Sequence, residues 1–195
     1  MKLVIASRNK HKVAEIQTLL AGAPGLTVVS LDGYAVPQIV EDRDAFLGNA
    51  LKKAVETAGY IKETVLADDS GLSVDALNGA PGVYSARYAG DGASSARLCA
   101  KLLRELEGIP AARRTARFTA ALAVAAPDGR VLHTAEGIVE GVIASEIRGV
   151  NGFGYDPVFY YPPLKKTFAE MSPAEKNLHS HRYRALRELL KKLRN

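Results

Sequence analysis

The sequence predicts an α/β fold: a mixed sheet flanked by helices, formed by residues 1–195 as a single domain that is either undivided or drawn into two lobes. Three observations predict it. The apolar run Lys2–Ala6 opens directly into a stretch with helical spacing. Two strand-like segments, Arg117–Ala126 and Val131–Ile143, flank the turn sequence Pro127-Asp128-Gly129. The 195 residues, 47% of them hydrophobic, are enough for one sizeable core and short for two.

After the first strand, Val13, Ile16, Leu19 and Leu20 recur at helical spacing, and Gly22 supplies the left-handed residue that ends a helix. Asp44 is the expected N-cap of a second helix, whose apolar positions run through Phe46, Leu47, Leu51, Ala54, Val55 and Ala58 to Gly59. Thr64–Ala67 reads as a strand, interrupted by Asp68-Asp69-Ser70-Gly71 and resumed over Leu72–Leu77. Gly79-Ala80-Pro81-Gly82 is a turn cluster. Ser94 or Ser95 starts a third helix that reaches Leu106 before Gly108 and Pro110 stop it. In the following hairpin, Phe118, Ala120, Leu122 and Val124 share one face. Gly149–Pro157 is a glycine-rich loop, and Ser172-Pro173-Ala174-Glu175 is a capping box with proline at the first helical position. Leu186, Leu189, Leu190 and Leu193 stripe the last helix.

Composition excludes several classes. The only cysteine, Cys99, cannot form a disulfide framework or a structural zinc site, and it falls among Leu98, Leu102 and Leu103 as a core residue. No apolar run is long enough to span a membrane, and Leu3–Ala6 is too short for a secretory signal. A soluble protein of the reducing cytoplasm, with no membrane partner, is the expectation. The net charge of +5 is concentrated: residues 176–195 carry +6 and the remainder −1. Nucleic-acid binding calls for basic charge spread over a face, so none is expected here.

Four segments carry chemistry. Ser7-Arg8-Asn9-Lys10-His11-Lys12 lies where a strand gives way to a helix, and helix N-termini with added lysines suit phosphate, although plain helix capping explains the same residues. Neither a Walker A loop nor a dinucleotide-binding glycine fingerprint is present. Asp68 and Asp69 follow an apolar strand, and two adjacent carboxylates are less costly beside a cation such as Mg²⁺; Glu41 and Asp42 are further hard-oxygen candidates. Phe153-Gly154-Tyr155-Asp156-Pro157 joins aromatic faces that can stack on a base to an acid that can accept from a ring N–H. His179-Ser180-His181-Arg182 precedes the basic helix, where Arg182 can donate to a base edge. A Ser-His-Asp hydrolase is not indicated, because no G-x-S-x-G elbow occurs.

Taken together, these segments resemble the non-canonical purine nucleoside triphosphate pyrophosphatases, the inosine triphosphatase family. The resemblance rests on S-R-N-K-H-K at 7–12, Glu41 with F-L-G-N-A at 46–50, A-D-D-S-G-L at 67–72, G-A-P-G-V-Y-S-A-R-Y at 79–88, F-G-Y-D-P-V-F at 153–159 and M-S-P-A-E-K-N-L-H-S-H-R at 171–182. It implies an elongated α/β fold with a twisted mixed sheet, two lobes around a central cleft, and homodimers. It also implies Mg²⁺-dependent hydrolysis of ITP, dITP and XTP to the monophosphate and pyrophosphate. Ser7, Arg8, Asn9, Lys10, His11, Lys12 and Lys53 match triphosphate contacts. Glu41 and Asp69 match the metal ligands, with Asp69 also the proton acceptor. Ser70, Phe153, Gly154, Tyr155, Asp156, Lys176, His181 and Arg182 match further substrate contacts. The chain departs from the family where glycine and then threonine or serine are usual, carrying Arg43 and Ala45 instead.

Two alternatives come from other directions. The septum-formation-inhibitor family cleaves pyrimidine triphosphates, but its S-x-S-P-R-R-like motif is replaced here by S-R-N-K-H-K. A nucleic-acid module using the basic C-terminal helix leaves Asp68, Asp69 and the 153–156 loop without a role.

Overall fold

The computed structural model describes residues 1–194. The strands are β1 Lys2–Ile5, β2 Thr27–Ser30, β3 Val65–Val74, β4 Thr115–Ala125, β5 Val131–Ile143, β6 Phe159–Tyr161 and β7 Lys166–Thr167. They form one sheet in the order β2-β1-β3-β4-β5-β6-β7. β1 runs parallel to β2 and β3, whereas β6 is antiparallel to both β5 and β7, so the expected mixed sheet is present. The helices are α1 Lys10–Leu20, α2 Phe46–Ile61, α3 Ser95–Glu105, α4 Pro173–His179 and α5 His181–Leu193. No helix among the described residues is long and apolar enough to cross a membrane.

The chain divides into two compact units. The first comprises residues 1–69, 120–137 and the C-terminal helix from His181. Its core follows from strand alternation, which sends successive side chains to opposite faces. Leu3, Ile5, Leu66, Leu122 and Val124 meet Ile16 and Leu20 of α1 and Ala185, Leu186 and Leu189 of α5. The alternate residues Val4, Ala6, Val65, Ala67, Ala121, Ala123 and Ala125 meet Ala50, Ala54 and Ala58 of α2. Both faces are therefore apolar, as a sheet covered on both sides requires. The second face is built largely from alanine, which lets α2 lie close. At Gly137 the approach is closer still: an added Cβ would lie 2.2 Å from the His181 carbonyl oxygen and 2.3 Å from the Ala185 nitrogen.

The second unit comprises residues 70–119 and 138–180. Its core is aromatic, with Phe118 stacked 5.8 Å from Phe168 and tilted 4.6 Å from Phe159. Leu98, Cys99 and Leu102 of α3 pack into the same cluster.

The structure differs from the sequence reading in three places. β3 is uninterrupted through Asp68-Asp69-Ser70-Gly71, because Lys12 and Arg182 neutralise Asp68 and remove the reason for a turn. Ala45, not Asp44, caps α2, and it makes no side-chain cap bond. That helix also passes Gly59 and ends at Ile61, where Lys62 adopts the left-handed conformation. The capping box and the leucine stripe belong to separate helices, with Ser180 ending α4 in extended backbone before α5 begins at His181.

Candidate active site

In the first unit, β1 ends at Ile5 and hands the chain to α1 through Ser7-Arg8-Asn9. The Asn9 side chain caps the helix, accepting from the N–H groups of His11 at 3.0 Å and Lys12 at 3.2 Å. Ser7 Oγ accepts from the Asn9 N–H at 3.2 Å, and Arg8 donates to the Val36 carbonyl at 2.5 Å. The loop is thus braced by its own side chains, which serve as caps in this conformation. Lys10 and His11 lie exposed at the helix start.

Asp68 and Asp69 are neighbours in β3, so their side chains leave opposite faces of the strand and meet different surroundings. The Asp68 carboxylate is fully buried between Lys12 Nζ at 2.7 Å and Arg182 Nε at 3.0 Å. A second guanidinium nitrogen of Arg182, Nη1, pairs with Glu15 of α1. Burial pushes the Asp68 carboxyl up, but the charges and hydrogen bonds of Arg182 and Lys12 overcome it and hold the group well below the usual carboxylate range. Arg182 is only 1% exposed. Its Nε and Nη1 are engaged by the buried carboxylate of Asp68 and the partly buried carboxylate of Glu15.

Asp69 has the opposite character. Burial is the largest influence and raises its pKa, and the nearby Glu41 charge adds to the rise. Lys12, Lys53 and a hydrogen bond from Asn49 only partly offset this. Asp69 Oδ2 is buried without a hydrogen-bond partner among the described residues. A buried orphan oxygen costs free energy unless something fills its coordination, so this atom marks a position for a ligand or proton. Glu41 is paired with Lys53 of α2. Among the described residues no group of three His, Cys, Asp or Glu could hold a metal alone. Two carboxylates do fit a hard divalent cation that takes its remaining ligands from water and phosphate.

Asn49 is the residue that motif reading passed over. It is buried in α2, accepts from the Arg43 N–H at 2.9 Å, donates to the Arg43 carbonyl at 3.3 Å, and also bonds Asp69. This pairing accounts for the loop at the departure from the family pattern. Arg43 is held through its backbone, and Ala45 starts the helix without a capping side chain.

In the second unit, Ser70 continues β3 directly after Asp69. The Phe153–Asp156 loop and α4 form one buried polar knot. Asp156 Oδ2 accepts from the Phe153 N–H at 2.8 Å and from Lys176 Nζ at 2.5 Å. The Lys176 ammonium lies 4.7 Å from the centre of the Phe153 ring. Gly152 is required beside it, since at φ +74° an added Cβ would fall 2.1 Å from Asp156 Oδ2. Tyr155 is buried and donates its hydroxyl to the Ser85 carbonyl at 2.9 Å. His181 is buried at the first turn of α5, in the first unit.

The first unit thus brings together Lys12, Glu41, Lys53, Asp68, Asp69 and Arg182, with lysines and a carboxylate oxygen unpartnered among the described residues, suited to anionic oxygens and proton transfer. The second holds a ring face beside an acid and an ammonium, suited to a planar heterocycle. The whole chain is similar to known proteins. A dITP/XTP pyrophosphatase of Desulforamulus reducens is 51% identical over 97% of this chain and 94% of its own length. One of Leuconostoc mesenteroides is 53% identical over 99% and 96%. The solved HAM1 protein of Coxiella burnetii superposes with a TM-score of 0.90 at 42% identity, over 99% of this chain and 98% of that one. The sequence profile of the Ham1 family matches residues 3–192, and the chain belongs to that family.

Proposed function

We propose that this chain hydrolyses the purine nucleoside triphosphates ITP, dITP and XTP to the monophosphate and pyrophosphate, clearing deaminated nucleotides from the precursor pool of the cytoplasm. The observation that carries the chemistry is Asp69, a buried carboxylate with a raised pKa and one oxygen without a donor among the described residues. The substrate class is supported by the names of the relatives at about half identity. Those names lend nothing to the pyrimidine or nucleic-acid alternatives.

In the proposed reaction a water oxygen bonds to the α-phosphorus and the bond to the bridging oxygen breaks, releasing pyrophosphate. Asp69 takes the water's proton as general base. Phosphoryl transfer asks chiefly for alignment and charge neutralisation. Lys53 and Lys12, whose charges already act on Asp69, supply fixed positive charge for the departing group. Lys12 is held in place by Asp68. Glu41 and Asp69 would hold Mg²⁺, which when bound supplies Lewis-acid stabilisation of phosphate oxygens. Phe153 offers its face to the base, and Asp156 and Lys176 set that face. A homodimer is part of the same reading.

Turnover of ITP, XTP, dITP, ATP, GTP and dTTP, each with and without Mg²⁺, tests it. IMP and pyrophosphate from ITP, with little from ATP or GTP and none without the metal, is the expected result. Cleavage of dTTP in preference to ITP would overturn the substrate class. Metal-independent turnover would remove Mg²⁺. Sedimentation of the purified chain as a monomer would remove the dimer.

A further inference from the structure

We propose that Ser95 is a positioning residue for nucleobase recognition, fixing the peptide that follows Phe153 and hence the setting of the Phe153 ring. The inference rests on the function proposed above, in which that ring takes the base. Its ground is the hydrogen bonding on either side of Phe153. The peptide before it donates its N–H to Asp156 Oδ2 at 2.8 Å. The peptide after it donates the Gly154 N–H to Ser95 Oγ at 2.8 Å. With both flanking peptide planes held, neither backbone torsion of Phe153 is free to turn the ring away.

The second hold is non-local, coming from α3, 59 residues earlier in the chain. The Gly154 carbonyl is taken by the same helix, accepting from the Cys99 thiol at 3.4 Å. Gly154 itself has φ +63°, a conformation that other residues adopt reluctantly, so outside bonds are needed to keep the loop in one shape. Two adjacent serines divide the work at this helix start. Ser94 is the N-cap, its hydroxyl accepting from the Arg97 N–H at 3.4 Å, whereas Ser95 reaches across to Gly154. A ring set in advance saves the ordering cost that a mobile loop would charge against substrate binding. Loss of the Ser95 hydroxyl should therefore weaken binding of base-bearing nucleotides and leave the chemical step alone.

Steady-state kinetics on ITP with the full-length enzyme, together with melting temperatures, test this in three variants. Ser95→Ala should raise KM about 3- to 10-fold, the range for one neutral hydrogen bond, with kcat within about twofold of the wild type. Ser95→Thr, which keeps the hydroxyl, should recover the wild-type KM. Ser94→Ala should lower the melting temperature through loss of the helix cap without raising KM. An unchanged KM in Ser95→Ala, an equal rise in Ser94→Ala, or no recovery in Ser95→Thr would overturn the inference while wild-type turnover of ITP leaves the proposed function intact. A wild-type enzyme that does not turn over ITP would defeat both.

Discussion

Exchanging each of the adjacent aspartates for asparagine should separate them completely. Asp68 is a fully buried carboxylate clamped by Lys12 at 2.7 Å and Arg182 at 3.0 Å, with Arg182 itself 1% exposed. Asp68→Asn keeps the shape and removes the charge, leaving the buried guanidinium paired with Glu15. Removing one member of a buried pair costs about 3–5 kcal/mol, and the retained amide oxygen argues for the lower end. At about 2–4 °C per kcal/mol for a chain of this size, the melting temperature should fall about 6–12 °C. Asp69→Asn removes a charge that burial already disfavours and an oxygen without a hydrogen-bond partner among the described residues. Its melting temperature should stay level or rise, while kcat falls by about 10²–10⁴, the range for loss of a general base. Calorimetry and ITP turnover on both variants make the comparison. A stable Asp68→Asn, or an Asp69→Asn that melts as early as Asp68→Asn, would refute the division of roles.

The same pair sets the pH behaviour. The folded-state pKa of Asp68 is depressed, so its stabilisation is present above the ordinary carboxylate range and is lost as pH falls below it; urea midpoints should drop on acidification by more in the wild type than in Asp68→Asn. Asp69 is shifted the other way, so the acid limb of kcat/KM should lie above the pH expected for an exposed aspartate and should vanish in Asp69→Asn. Gly137→Ala should destabilise the fold by about 3 kcal/mol or more, because its Cβ would collide with backbone atoms of α5 rather than with a side chain that can move; urea denaturation reads this directly. Cys99 is buried and burial pushes its thiol up to about 12, so it should resist disulfide reagents in the native state at neutral pH and react in urea.

The parts of the fold read from sequence were those fixed by local pattern. Helical spacing located α1 and α3, alternation with Pro127-Asp128-Gly129 located the β4–β5 pair, and Ser172 caps α4 through the Glu175 N–H as its motif predicts. The misreadings at β3 and at the start of α2 come from partners outside the motif that was read. Asp68-Asp69-Ser70-Gly71 has the composition of a turn, yet Lys12 and Arg182, 56 and 114 residues away, make a strand the better state. Asp44 has the right side chain for a cap, but Asn49 holds the backbone of Arg43 and sets the helix start one residue later. The candidate site was legible as residue types and order. The roles within it were less so, because whether an arginine meets substrate or a buried carboxylate depends on which side chains surround it. Arg182→Ala therefore cannot report base selectivity cleanly, as it also strips a partner from Asp68 and Glu15.

Hydrolysis of ITP in oxygen-18-enriched water, followed by phosphorus NMR and mass analysis of the products, bears most directly on the proposed reaction. Attack at the α-phosphorus predicts IMP and pyrophosphate, with one labelled oxygen in IMP and none in pyrophosphate. Label in pyrophosphate, or release of IDP and orthophosphate, would contradict it.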